Sequence, residues 1–225
     1  YADFYVEVWR HIAARCKDRP AVWGYDLLNE PVQNRPSPEG CDNYWALQER
    51  AARAVRAIDP RTAIIVEVDQ WDDPGGYDFV KPMAVPGVVY QAHMYRPHAF
   101  THQGVHGGKE RWAYPGTIKG VVYDKAALRR ELQPVRDFQL AYNVPIYIGE
   151  FSAIRWGQGA DQYLKDVTEI FEEYGWDWSY HAFREWSGWS LEHGDVESDT
   201  QPAAAPPARQ AVIRAWFSKN QKASK

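Results

Sequence analysis

Val22-Trp23-Gly24-Tyr25-Asp26-Leu27-Leu28-Asn29-Glu30-Pro31 is an apolar and aromatic run that stops at a carboxylate followed by proline. It reads as a buried strand, Val22 to Asn29, with an acid at its carboxyl end. Strand side chains alternate between faces, so Gly24, Asp26, Leu28 and Glu30 share one side. Pro31 has no N–H to give to a ladder and closes the pairing. Val144-Pro145-Ile146-Tyr147-Ile148-Gly149-Glu150-Phe151-Ser152 repeats the plan, with Ile146, Ile148 and Glu150 on one face. Two strands therefore each deliver a glutamate to a strand end.

Working outward, apolar residues at Phe4, Val8, Trp9, Ile12 and Ala13 predict a helix over Asp3 to Asp18, ended by Arg19-Pro20. Val32 to Cys41 is a loop, and Asp42 is the predicted cap of a helix to Ile58 with Trp45, Ala52 and Val55 on its apolar face. Ala63 to Val68 is a β-branched strand, followed by the loop Asp69 to Gly76 and a helical turn over Tyr77 to Met83. Gly87 to Tyr95 is a strand. The loop Arg96 to Tyr123 holds five glycines, three histidines and Trp112, a length commonly reserved for function or mobility. Asp124 opens a helix to Tyr142, the strand ending at Glu150 follows, and Asp161 to Tyr174 is a helix. Trp176 to Trp186 is an aromatic strand, Glu192 to Pro207 a polar, Pro/Ala-rich stretch, and Arg209 to Ser218 a final helix.

Strict alternation of helix and strand argues for a parallel sheet, and here the long loops follow the strands. That is the layout of a (β/α)8 TIM barrel, an α/β fold whose chemistry sits in the loops after its strands. Five strands are countable where a closed barrel needs eight. The expectation is an incomplete barrel carrying strands four to eight with helices three to eight, residues 1–225 forming a single domain without internal repeat or linker.

The chain of 225 residues, with 45% hydrophobic and 25% charged residues, is long enough and apolar enough to bury one sizeable core. A formal charge of -4 offers no basic field for nucleic acid or an anionic membrane, and no apolar run approaches the length of a bilayer span. Cys16 and Cys41 make neither a disulfide framework nor a metal quartet, leaving one bridge between them open. Eleven Trp stand beside 14 Tyr; most should pack, while several follow strands, where aromatic planes can stack on sugar rings.

Leu28-Asn29-Glu30-Pro31, His93-Met94-Tyr95, Ile148-Gly149-Glu150-Phe151 and Trp186 together resemble glycoside hydrolase family 5, the cellulase-like family, in order and spacing at strands four, six, seven and eight. The resemblance implies a retaining hydrolase of a β-linked glycan that needs no cofactor, with Glu30 as general acid/base and Glu150 as nucleophile. It further implies that Asn29 hydrogen-bonds the sugar 2-hydroxyl, that His93 and Tyr95 line the reacting subsite with Tyr95 holding the nucleophile, and that Trp186 forms the floor under the sugar. The family's substrates lie outside the cell, so secretion is expected, although no signal peptide stands in these residues. Family members also bring an arginine from strand two and a histidine from strand three, which are absent here. The missing amino-terminal barrel segment is therefore an expected partner, and the isolated chain is expected to have little or no activity.

Chemistry supports the two roles independently. An oxocarbenium-like transition state needs one protonated carboxyl and one ionised carboxylate, about 5–5.5 Å apart for retention, with their environments deciding which is which. His93 and Tyr95, two apart on one strand, face one side, with Gln91 a layer deeper. The plainer readings are a solvated or ion-paired acid for either glutamate, a core histidine for His93 and packing for Trp186. Asp26 reads as a structural acid, with Arg184 as a candidate partner. His98, His102 and His106 would align on a helix, but Gly104, Gly107 and Gly108 interrupt them and no metal site is expected. Trp71, Trp112, Tyr114, Trp156 and Trp189 are loop anchors or outer sugar platforms. Within the class, an endo-β-1,4-glucanase leads and a mannan-, xylan- or β-1,3-glucan-active enzyme follows. A noncatalytic carbohydrate-binding remnant is the alternative outside it. A phosphate-binding barrel would need a glycine-rich loop after strand seven or eight, for which Gly157-Gln158-Gly159 is a weak match.

Overall fold

A computed structural model describes residues 1–220. The described residues fold as two compact units, Tyr1–His93 with Gln133–Tyr147, and Met94–Leu132 with residues 148–220.

In the first unit, α1 (Ala2–Cys16) packs on α2 (Tyr44–Arg56). Val6 and Ala13 face inward, whereas Phe4 and Val8 are exposed, so the buried stripe of α1 is narrower than its apolar spacing suggests. Asn43, not Asp42, caps α2, its Oδ1 accepting from the Ala46 N–H at 2.8 Å; the Asp42 carboxylate instead pairs with Arg50. Strands β1 (Gly24–Asp26), β2 (Ala63–Glu67) and β3 (Val88–Met94) run parallel in sequence order. β1 is much shorter than Val22 to Asn29. Its alternation holds, however: Tyr25 and Leu27 are buried and Asp26 is not. Tyr25 meets Trp9 edge-on, and the Leu27 carbonyl accepts from both Tyr5 Oη and Trp9 Nε1, which ties α1 to the segment leading to Glu30. The single turn α3 (Asp69–Asp72) and a 3-10 helix (Pro74–Phe79) replace the predicted turn over Tyr77 to Met83. Helix α6 (Gln133–Tyr142) lies against that 3-10 helix, with Phe138 edge-on to Tyr77 and Tyr90. The Tyr90 N–H donates to Pro145 O at the entrance to β6 (Ile146–Phe151).

In the second unit, β6 pairs with β7 (Asp177–Trp178), the Ser179 N–H donating to Ile148 O and the His181 N–H to Phe151 O. The strand order is therefore β1-β2-β3-β6-β7. The predicted strand Trp176 to Trp186 shrinks to two residues plus these bonds. Residues 96–123 are more structured than expected. They contain the turn α4 (His98–Thr101) and an antiparallel hairpin, β4 (Gly116–Ile118) and β5 (Val121–Tyr123). Its two-residue turn has Lys119 and Gly120 both left-handed, at φ 48° and 82°, as a type I′ turn requires. Asp124 caps α5 (Lys125–Glu131) as predicted, but the single helix to Tyr142 is two. Pro134 has no N–H to bond one turn back, and α6 restarts at Gln133. Helix α7 (Ala160–Tyr174) buries Tyr163, Leu164, Val167, Ile170 and Phe171 at helical spacing and packs on α8 (Ala208–Phe217). Cys16 and Cys41 are free thiols. Among the described residues, no helix is long and apolar enough to cross a membrane.

Candidate active site

Each predicted glutamate has a setting of its own, and the two lie in different units. In the first, Glu30 follows β1 in the left-handed region at φ 46°, with its backbone N–H donating to Glu67 Oε2 at 2.5 Å. Glu67, at the end of β2, is fully buried. The side chain of Gln48 in α2 clamps it, accepting from the Glu67 N–H at 3.0 Å and donating to the Glu67 carbonyl at 2.8 Å. Gln91 Nε2 donates to Glu67 Oε1 at 2.5 Å and to Asp26 Oδ2 at 3.2 Å. The same amide nitrogen lies 3.2 Å from His93 Nε2, and His93 Nδ1 lies 2.9 Å from Glu30 Oε1. A chain of hydrogen bonds thus runs from the Glu30 backbone through Glu67 to Gln91, whose amide hydrogens go to Glu67 and Asp26, and His93 lies against that amide while bonding the Glu30 carboxyl. Which atom donates in that last contact depends on the imidazole tautomer. Asn29 is exposed, and the partner expected for Asp26 is not the one observed. Asp26 accepts from Gln91, while Arg184 makes a two-pronged pair with Glu192 at 2.9 Å on each arm.

In the second unit, Tyr95 Oη donates to Glu150 Oε2 at 2.9 Å. The backbone around Tyr95 is fixed on three sides. Thr101 Oγ1 donates to the Tyr95 carbonyl at 2.7 Å, and Tyr163 Oη from α7 donates to the carbonyls of Met94 and Arg96. The Tyr95 ring meets His102 edge-on at 5.0 Å and Trp189 at 6.0 Å. His98 and His102 stack at 3.8 Å, and His102 Nδ1 bonds Thr101 Oγ1. Burial first, then the neighbouring His98 and His106, pushes the His102 pKa down to about 3, so this ring is an uncharged wall. His181 Nδ1 lies 3.5 Å from Glu150 Oε2. Trp186 is 40% exposed and stands edge-on to both Trp156 and Trp189. Sequence reasoning missed Glu67, Asp72 and His181. Glu67 carried a usable signal, being a third acid at a strand end, whereas His181 sits in a segment whose backbone departs from the strand pattern.

Comparison with known proteins then supplies the context. Endoglucanase C of Acetivibrio thermocellus is 24% identical over 206 residues, spanning 78% of this chain and 59% of that protein. Endoglucanase 3 of Fibrobacter succinogenes is 23% identical over 218 residues, spanning 81% and 33%. The solved endoglucanase Cel5A of Thermotoga maritima matches with a TM-score of 0.71 at 27% identity, over 85% of this chain and 61% of that one. The chain thus spans about three-fifths of the length of the Acetivibrio relative and of the Thermotoga structure. The five strands β1, β2, β3, β6 and β7 are strands four to eight of a (β/α)8 barrel. The family model described as Cellulase (glycosyl hydrolase family 5) matches residues 1–192, and the chain belongs to that family.

Proposed function

We propose that these residues serve a retaining glycoside hydrolase acting on a β-linked glucan, with Glu30 as general acid/base and Glu150 as nucleophile. The observation that carries this reading is the difference between the two carboxyls: a phenol O–H is aimed at Glu150, and an imidazole is aimed at Glu30. A hydrogen bond from a neutral donor favours an ionised carboxylate, the state a nucleophile needs. An imidazole can take or return a proton, the traffic an acid/base residue needs.

In the first step Glu30 would protonate the leaving glycosidic oxygen while Glu150 attacks the anomeric carbon. In the second, Glu30 would take a proton from water as that water displaces Glu150. Asn29 is assigned to the sugar 2-hydroxyl, His93 and Tyr95 to the reacting subsite and Trp186 to the sugar face, which its half-exposed ring suits. Endo-β-1,4-glucan is the first substrate and mannan the second. The Thermotoga maritima relative, solved with cellobiose and with mannotriose, supports keeping both. A polymeric substrate goes with action outside the cell.

The test is hydrolysis of carboxymethyl-cellulose and of mannan by this chain and by a longer form restoring upstream barrel strands, each with and without Glu150→Gln. Activity in the longer form that the substitution abolishes is expected. Binding of these glycans without cleavage by either form would overturn the catalytic reading in favour of a carbohydrate-binding remnant.

A further inference from the structure

Three buried side chains of the first unit converge, and two of them, Glu67 and Asp72, have no part in the function proposed above. Glu67 ends β2, Asp72 ends α3 and His93 lies in β3, and one metal-ligating atom from each falls within 4.8 Å of the others. His93 Nε2 is 3.8 Å from Glu67 Oε1 and 3.8 Å from Asp72 Oδ2, and the side chains are 1%, 0% and 0% exposed. Asp72 Oδ1 accepts from the Val68 N–H at 2.8 Å. Asp72 Oδ2 is buried and has no hydrogen-bond partner, and a buried carboxylate oxygen left so is costly. The chain nevertheless holds Asp72 there through three consecutive left-handed residues, Gln70, Trp71 and Asp72, at φ 60°, 61° and 55°.

We propose that Glu67, Asp72 and His93 form a binding site for a divalent transition-metal ion, zinc being the class that fits. A neutral imidazole and two carboxylates balance a doubly charged ion, and the mixed nitrogen and oxygen set suits zinc better than magnesium. Bonds of about 2.0–2.2 Å in tetrahedral geometry put neighbouring ligand atoms about 3.3–3.6 Å apart, so the two 3.8 Å separations need to close by only a few tenths of an ångström. Gln91 Nε2, already on Glu67 Oε1, is the outer hydrogen bond that steadies a ligating carboxylate. A metal on His93 Nε2 leaves the proton on Nδ1, which then donates to Glu30 Oε1, the orientation usual for a ligating histidine. The inference rests on this geometry and not on the hydrolase reading, although the two share His93, which a bound ion would fix as a donor to Glu30.

The experiment is titration of the chelator-treated, folded 225-residue chain with zinc and separately with magnesium, by calorimetry and thermal unfolding, for the wild type, Asp72→Asn and Glu67→Gln. One zinc per chain is expected, with an unfolding temperature that rises with zinc and at least tenfold weaker zinc binding in both variants. Without metal, Asp72→Asn should be more stable than the wild type, because it removes a buried carboxylate oxygen that has no hydrogen-bond partner. Zinc-edge X-ray absorption on the wild type needs no variant, and one nitrogen with the remaining ligands oxygen is expected. No zinc-dependent shift in the wild type, a shift that both variants retain, or a spectrum with two or more imidazoles, as binding at His98 and His102 would give, each overturns the proposal.

Discussion

Tyr95 and Glu150 are joined by an O–H···O hydrogen bond of 2.9 Å, made by a ring that His102 and Trp189 hold in place. Tyr95→Phe keeps that packing and deletes only the donor. A hydrogen bond to a charged acceptor contributes about 1.5–3 kcal/mol, so kcat on carboxymethyl-cellulose in an active longer form should fall about 10- to 100-fold, with KM nearly unchanged. An equal loss in KM alone would mean that Tyr95 binds substrate and does not support Glu150.

Arg155 is 1% exposed and donates to the carbonyls of Gly194, Val196, Glu197 and Asp199, stapling the segment that follows Trp189. A lysine is a single point donor and cannot span four carbonyls. Arg155→Lys should cost about 2–4 kcal/mol, read as a lower denaturation midpoint, with faster amide exchange concentrated in residues 190–199. Uniform exchange across the second unit would show that Arg155 does not act locally.

Gly159 is left-handed at φ +81°, and a Cβ built there would stand 1.8 Å from the Tyr114 carbonyl oxygen. The close approach is needed because the Tyr114 N–H donates to Gln158 O at 2.9 Å. Gly159→Ala combines an unfavourable φ, about 1–2 kcal/mol, with a clash that only backbone movement relieves. A loss of at least about 2 kcal/mol in denaturant unfolding is expected. Gly120→Ala, at a φ of +82° with open space around it, should cost less.

Asp59 is nearly buried, and burial alone would raise its pKa. Hydrogen bonds from the Thr62 hydroxyl and N–H, the Arg61 N–H and the Tyr25 hydroxyl outweigh that and hold it well below the usual carboxylate range. A depressed folded pKa contributes stability above the unfolded value, about 3.9, which is lost as pH falls through the folded one. Asp59→Asn should therefore be less stable than the wild type at pH 7 by about 2–3 kcal/mol, and the gap should narrow below about pH 4. A gap independent of pH would mean that the lost bonds do not depend on charge.

What the sequence by itself determined is what local rules control. The alternation that makes the fold, the cap at Asp124 and the span of α7 follow from periodicity and capping, which act within a few residues. That Glu30, Glu150, His93 and Tyr95 sit at or near strand ends could be read from the sequence, because strand ends are marked by local pattern. Pro134 and the Lys119-Gly120 pair are also local signals, the first breaking the helix after Asp124 in two and the second turning a hairpin. The tertiary structure decided which polar groups meet. Gln91 rather than Arg184 answers Asp26, Arg184 answers Glu192, and Glu67, Asp72 and His93 converge from segments up to 26 residues apart. It also decided that β1 and β7 stay short and that Phe4 stays exposed. A side chain's identity fixes what it can bond, but chain segments distant in sequence compete to be its partner, and only packing selects among them.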